Sequence, residues 1–104
     1  MHQYKVKVHP EKSPAYLWGG ADVEEPFNGS LVLTVRNDEI GEPVTVKKHS
    51  DSSTPIKTIA LLKPGETFSV SLKGLKGILA ECPTPNVDTQ VHCILMATIP
   101  TPTT

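Results

Sequence analysis

Two thiols, four imidazoles and a few hydroxyl and carboxylate groups are what this 104-residue chain offers for chemistry. Cys82 and Cys93 are its two cysteines. Their spacing is not the C-x-x-C of redox motifs, and two thiolates alone do not close a zinc site. If the segments around them form a hairpin about the loop 83–90, the two residues fall on facing strands. Cross-strand Cβ atoms lie ~4.5–5.5 Å apart, at the long end of disulfide geometry. Cys82 and Cys93 are therefore expected as near neighbours on paired strands, a candidate disulfide or paired thiols according to the redox compartment. His92, adjacent to Cys93, must point to the other face of the same strand. His2, His9 and His49 lack ligand spacing, so no metal site is expected.

Nucleophilic catalysis needs a base and an oxyanion hole beside the hydroxyl. Ser69 and Ser71 alternate with apolar residues, as hydroxyls on the wet face of a strand do, and no G-x-S-x-G occurs. His49-Ser50-Asp51 has the composition of a triad, but consecutive loop residues do not supply its geometry. Glu24-Glu25 reads as a solvated acidic pair. Gly74-Leu75-Lys76-Gly77 lacks the spacing of a phosphate loop. No catalytic, cofactor or metal set follows, and the chain is expected not to be an enzyme.

Charge excludes further classes. Ten Lys and Arg against eleven Asp and Glu leave a net charge of -1. Nucleic-acid binders need a basic field to displace counterions, and this chain has none. No apolar run reaches the ~20 residues of a membrane span. Met1–Val8 is polar and alternating, without the apolar core of a secretory signal. The compartment expected from this is the cytoplasm, or a particle such as a virion assembled there. Asn28-Gly29-Ser30 matches a glycosylation sequon but reads as a turn.

The elements that would hold these groups are strands. Ten prolines and seven glycines leave little room for helix, and no i, i+3, i+4, i+7 stripe survives them. Tyr4, Val6 and Val8 alternate with lysines and stop at Pro10. Leu31, Leu33 and Val35 alternate with Val32, Thr34 and Arg36. Val44 and Val46, Ile59 and Leu61, and Phe68, Val70 and Leu72 follow the same period of two. Residues 77–82 and 91–99 complete the set, with Ile78, Ile94 and Met96 expected to face inward. Lys63-Pro64-Gly65-Glu66 has a proline that presets φ and a glycine that accepts positive φ, a turn signal. The order of strand, Lys-Pro-Gly-Glu turn and alternating strand resembles immunoglobulin-like sandwiches. Turns every 8–12 residues predict an all-β fold, a small antiparallel β-sandwich of immunoglobulin-like or jelly-roll-like type with seven to eight short strands. Residues 1–104 form a single domain by this reading, with an irregular segment over 10–29 and an extended tail over 100–104.

The irregular segment is the informative one. It holds Tyr16, Leu17, Trp18 and Phe27, large apolar groups that water disfavours. Folded back, they would plug one end of the sandwich. Presented outward, they would anchor a partner, since aromatic side chains dominate interface hot spots. The tail, with Pro100 and Pro102, reads as an extended arm. The function these residues imply is a non-enzymatic structural or interaction module that builds or decorates a larger assembly, such as a capsid or virion accessory protein. Its partner would be another protein or further copies of itself, with no nucleic acid, membrane or cofactor. A carbohydrate-binding module using Tyr16 and Trp18 is the alternative.

Overall fold

The computed structural model describes residues 2–8, 15–20, 23–50, 55–82 and 89–97. Their regular elements are eight strands: β1 (His2–Val8), β2 (Ala15–Gly19), β3 (Leu31–Asn37), β4 (Val44–His49), β5 (Lys57–Leu62), β6 (Thr67–Ser71), β7 (Gly77–Glu81) and β8 (Thr89–Ala97). They form two four-stranded sheets, β1-β8-β3-β6 (sheet A) and β2-β7-β4-β5 (sheet B), and every pairing is antiparallel. The fold is a small all-β sandwich. Strands β1 and β2 meet along one side of it, and β5 and β6 along the other.

Period-two alternation places the core. On β3, Leu33 and Val35 are fully buried while Arg36 is exposed. Val44 and Val46 of β4, Ile78 and Ala80 of β7, and Val91 and Cys93 of β8 meet them between the sheets. Burying an aliphatic side chain of this size contributes roughly 1.5–3 kcal/mol, so this layer is the main driving force for folding. The expected turn at 63–66 is present. Gly65 sits at φ 84°, and the Glu66 amide donates to the Lys63 carbonyl at 3.0 Å.

Four expectations are corrected. Ala15–Gly19, placed within an irregular segment by its composition, is a strand. It pairs with β7 through a register shift between Tyr16 and Trp18, and that shift hides the period-two signal. Leu61 points outward and is exposed. An irregularity in the β4–β5 pairing lets Ile59 and Ala60 both pack on the core, so the inward set resumes at Leu62. On β8 the inward set is Val91, Cys93 and Leu95; Met96 is exposed and Ile94 lies on the outer face with His92. The run Ile94-Leu95-Met96 is apolar throughout and carries no alternation from which to read a face. Finally, β7 and β8 are not a hairpin. They belong to opposite sheets, so Cys82 and Cys93 do not lie on paired strands.

A buried polar knot joins the sheets at one end. Asn37 continues the inward parity of β3 and is fully buried. Its amide nitrogen donates to the Glu42 carbonyl at 2.8 Å and to the Leu62 carbonyl at 2.9 Å, tying sheet A to sheet B. Thr89, also buried, accepts from the Glu42 amide at 3.1 Å through its hydroxyl. Cys82 Sγ lies 4.0 Å from that hydroxyl.

Candidate interaction surfaces

The aromatic segment packs inward more than outward. Leu17 is the extra residue at the β2 bulge and is buried in the core. Trp18, opposite Ile78, packs against that core and meets Phe27 edge-on, with ring centroids 5.5 Å apart at 72°. Phe27 is held by two backbone bonds, donating to Leu75 at 2.9 Å and accepting from Gly74 at 2.8 Å. Leu17 is thus part of the core, and Trp18 and Phe27 pack partly buried against it from the β2 side. Tyr16 turns the other way and lies over Gly77, where an added Cβ would come within 2.6 Å of its ring. Its register partner Leu79, on the outer face, is buried as well. Gly19 ends the strand at φ 76°, where a side chain would meet the Lys76 carbonyl at once. Pro100 and Pro102 lie outside the described residues.

A hydrogen bond links β1 to β2 along the side where they meet. Tyr4 donates its hydroxyl to the Leu17 carbonyl, exposed by the bulge, at 2.5 Å. Burial raises the Tyr4 hydroxyl to about 12, with a smaller contribution from the neighbouring Cys93. Burial likewise pushes the Cys93 thiol up to about 11, against the opposing effect of its hydrogen bond with Tyr4. A protonated thiol is a poor nucleophile and a poor metal ligand. Both cysteines are buried thiols inside the sandwich. Among the described residues, no three His, Cys, Asp or Glu side chains converge as metal ligands do.

The four sheet edges differ. An unpaired edge is a template for further strands unless bulges, charges or prolines blunt it. Both edge strands of sheet B are irregular: β2 carries its shift at Leu17 and β5 its shift beside Ile59. Both edge strands of sheet A pair without any shift, β1 over seven residues and β6 over five. β6 carries no charge at all; Thr67, Ser69 and Ser71 face out while Phe68 and Val70 are half-buried. β1 alternates in the same way, with exposed Lys5 and Lys7 and half-buried Tyr4 and Val6.

The outer face of sheet A is built from registered rows. Lys5 lies opposite His92, His92 opposite Arg36 and Arg36 opposite Thr67. The next row contains Ile94, Thr34 and Ser69, and Thr34 and Ser69 share a hydroxyl hydrogen bond of 2.9 Å. Neither the charged row nor the edges could be read from the sequence, because both depend on which strands become neighbours.

No family model matches this chain, and no curated protein does. A solved structure does match. It comes from work described as "Bacillus endospore appendages form a novel family of disulfide-linked pili", with a TM-score of 0.52 and 14% identity. The match covers 94% of this chain and 88% of that one. The likeness is one of fold.

Proposed function

We propose that this chain is a non-catalytic structural subunit that polymerises by joining sheet A of one copy to sheet A of the next. The observation that carries the reading is the contrast between the sheets: both edges of sheet A are regular, while both edges of sheet B are bulged. Sheet A has four strands, all antiparallel, so its two edge strands run in opposite directions. A second copy translated sideways therefore meets β6 with an antiparallel β1, without being turned over. Contact between two different surfaces of one protein is heterologous and grows an open fibre when it does not close into a ring. The side chains also agree. The half-buried Phe68 and Val70 alternate in step with Tyr4 and Val6, so apolar groups meet along the inner face and polar groups along the outer one.

The fold shared with a protein from work on endospore appendages that form pili supports a fibre over the capsid decoration that the sequence also allowed. That description includes disulfide linkage. Here Cys82 and Cys93 are buried inside the sandwich, so the fibre proposed for this chain is held by strand pairing and side-chain contact. The packing of Trp18 on Phe27 and the core favours the structural reading over the carbohydrate one.

Ser69 tests the reading. It is exposed on β6, and edge-to-edge pairing brings it close to Lys5 of the next copy. Ser69→Lys places like charges across the new ladder and should abolish fibres in negative-stain micrographs and sedimentation. Ser69→Glu should preserve or strengthen them. Fibres unaffected by Ser69→Lys would refute growth through this edge.

A further inference from the structure

We propose that the outer face of sheet A binds a tetrahedral oxyanion, of the kind borne by phosphate or a phosphate ester, over the row Lys5–His92–Arg36. This inference stands apart from the polymerisation reading and needs only the single domain. Three nitrogen-bearing side chains from three neighbouring strands stand directly opposite one another. Adjacent strands are ~4.8 Å apart, so the row spans about 10 Å, and His92 is its centre. An ammonium and a guanidinium on long flexible stems can converge from either side on an anion seated above that imidazole. Arg36 offers two parallel donors and Lys5 a mobile point charge, complementary ways of holding an oxyanion.

The row lines an open trough of about 550 Å³, within the range of small-molecule sites. Thr67 and Thr34 add hydroxyl groups to its wall and Ile94 an apolar patch where the body of an ester would rest. No carboxylate lines the trough among the described residues. Glu39 reaches Arg36 from the following turn at 2.7 Å, with both side chains exposed. An exposed pair of that kind is weak and exchanges readily for a doubly charged ligand.

Lys5 and Arg36 are the two cations of the row, one strand away on either side of His92, on a protein whose charges otherwise balance.

The test is equilibrium dialysis of the full chain with inorganic phosphate and with phenyl phosphate, at constant ionic strength set by chloride. Dialysis reads binding whether the protein is single or polymeric. Wild-type protein should retain about one phosphate per chain. Lys5→Ser combined with Arg36→Thr should bind at least about tenfold more weakly, the loss expected for one or two charged hydrogen bonds. Both side chains are exposed, so the variant should melt no lower than wild type without ligand. Phosphate should raise the melting temperature of wild type alone. Tighter retention of phenyl phosphate assigns the site to an ester; equal retention assigns it to the free anion. Absence of binding by wild type at millimolar phosphate, or equal binding by the double variant, overturns the proposal.

Discussion

Replacing Asn37 by alanine tests how the two sheets are held together. Its side-chain nitrogen donates to the Glu42 carbonyl at 2.8 Å and the Leu62 carbonyl at 2.9 Å. Asn37→Ala removes both donors at a site closed to solvent. A buried acceptor left without its donor costs about 1–3 kcal/mol, and the Glu42 carbonyl, only part-buried, belongs at the low end. One gain offsets the loss. Asn37 Oδ1 is buried without a hydrogen-bond partner among the described residues, and alanine removes that unpaired acceptor. The net cost should be about 2 kcal/mol. For a domain of this size each kcal/mol lowers the melting temperature by about 4–8 °C, so Asn37→Ala should melt roughly 8–16 °C below wild type. Urea unfolding followed by circular dichroism gives the same quantity directly, with an unchanged denaturant slope if only the folded state is affected. Asn37→Asp should cost more, because it turns a carboxylate towards two carbonyl oxygens in a dry site. Asn28→Ala, at an exposed position, is the control and should stay within about 0.5 kcal/mol. A loss below about 1 kcal/mol for Asn37→Ala would refute the bond pair as the link between the sheets.

Alkaline pH should destabilise the domain in a defined window. Cys93 and Tyr4 are raised from 9.0 to about 11 and from 10.0 to about 12, so above pH 9 the unfolded chain releases protons that the folded one retains. Stability should therefore be complete below pH 9 and fall through pH 12; tyrosine absorbance and melting at each pH check this, and in Tyr4→Phe the Tyr4 share of the fall should vanish. Trp18→Ala should lower stability by about 2 kcal/mol, less than at a fully buried site, through lost packing on Phe27 and the core, as measured in urea. Leu61→Ser, at an exposed position, should change stability by less than about 0.5 kcal/mol. Native protein should resist a thiol reagent that labels both Cys82 and Cys93 after unfolding, because both are buried.

What the sequence disclosed was local. The alternation of β3, β4 and β6 could be read directly, since each has one wet face and one dry face. The Lys63–Glu66 turn was legible because proline and glycine impose its dihedral angles. The bulges were not, for an inserted residue breaks the period on which the reading depends; Leu17 and Leu61 are the two cases. The faces of Ile94 and Met96 were hidden in an unbroken apolar run. Pairing was the largest gap. Nothing in the residues around Cys82 and Cys93 records that the chain crosses from one sheet to the other between them, because either route satisfies the same strands. The row Lys5–His92–Arg36 brings together positions 5, 36 and 92, and only the strand order makes them neighbours.

The regular edges of sheet A also bear on the shape of anything built from it. Neighbouring strands in a sheet are rotated by roughly 20–25°, always in the same sense. A sheet continued through four-stranded units would accumulate a rotation of roughly 80–100° with every subunit added. A fibre of this kind cannot be a flat ribbon. It must wind, completing a turn in about four copies, so that sheet B faces successive sides of the fibre. The winding prevents long flat faces from stacking on one another. Uniform twist would thus favour discrete fibres over lateral sheets, with the pitch set by the backbone.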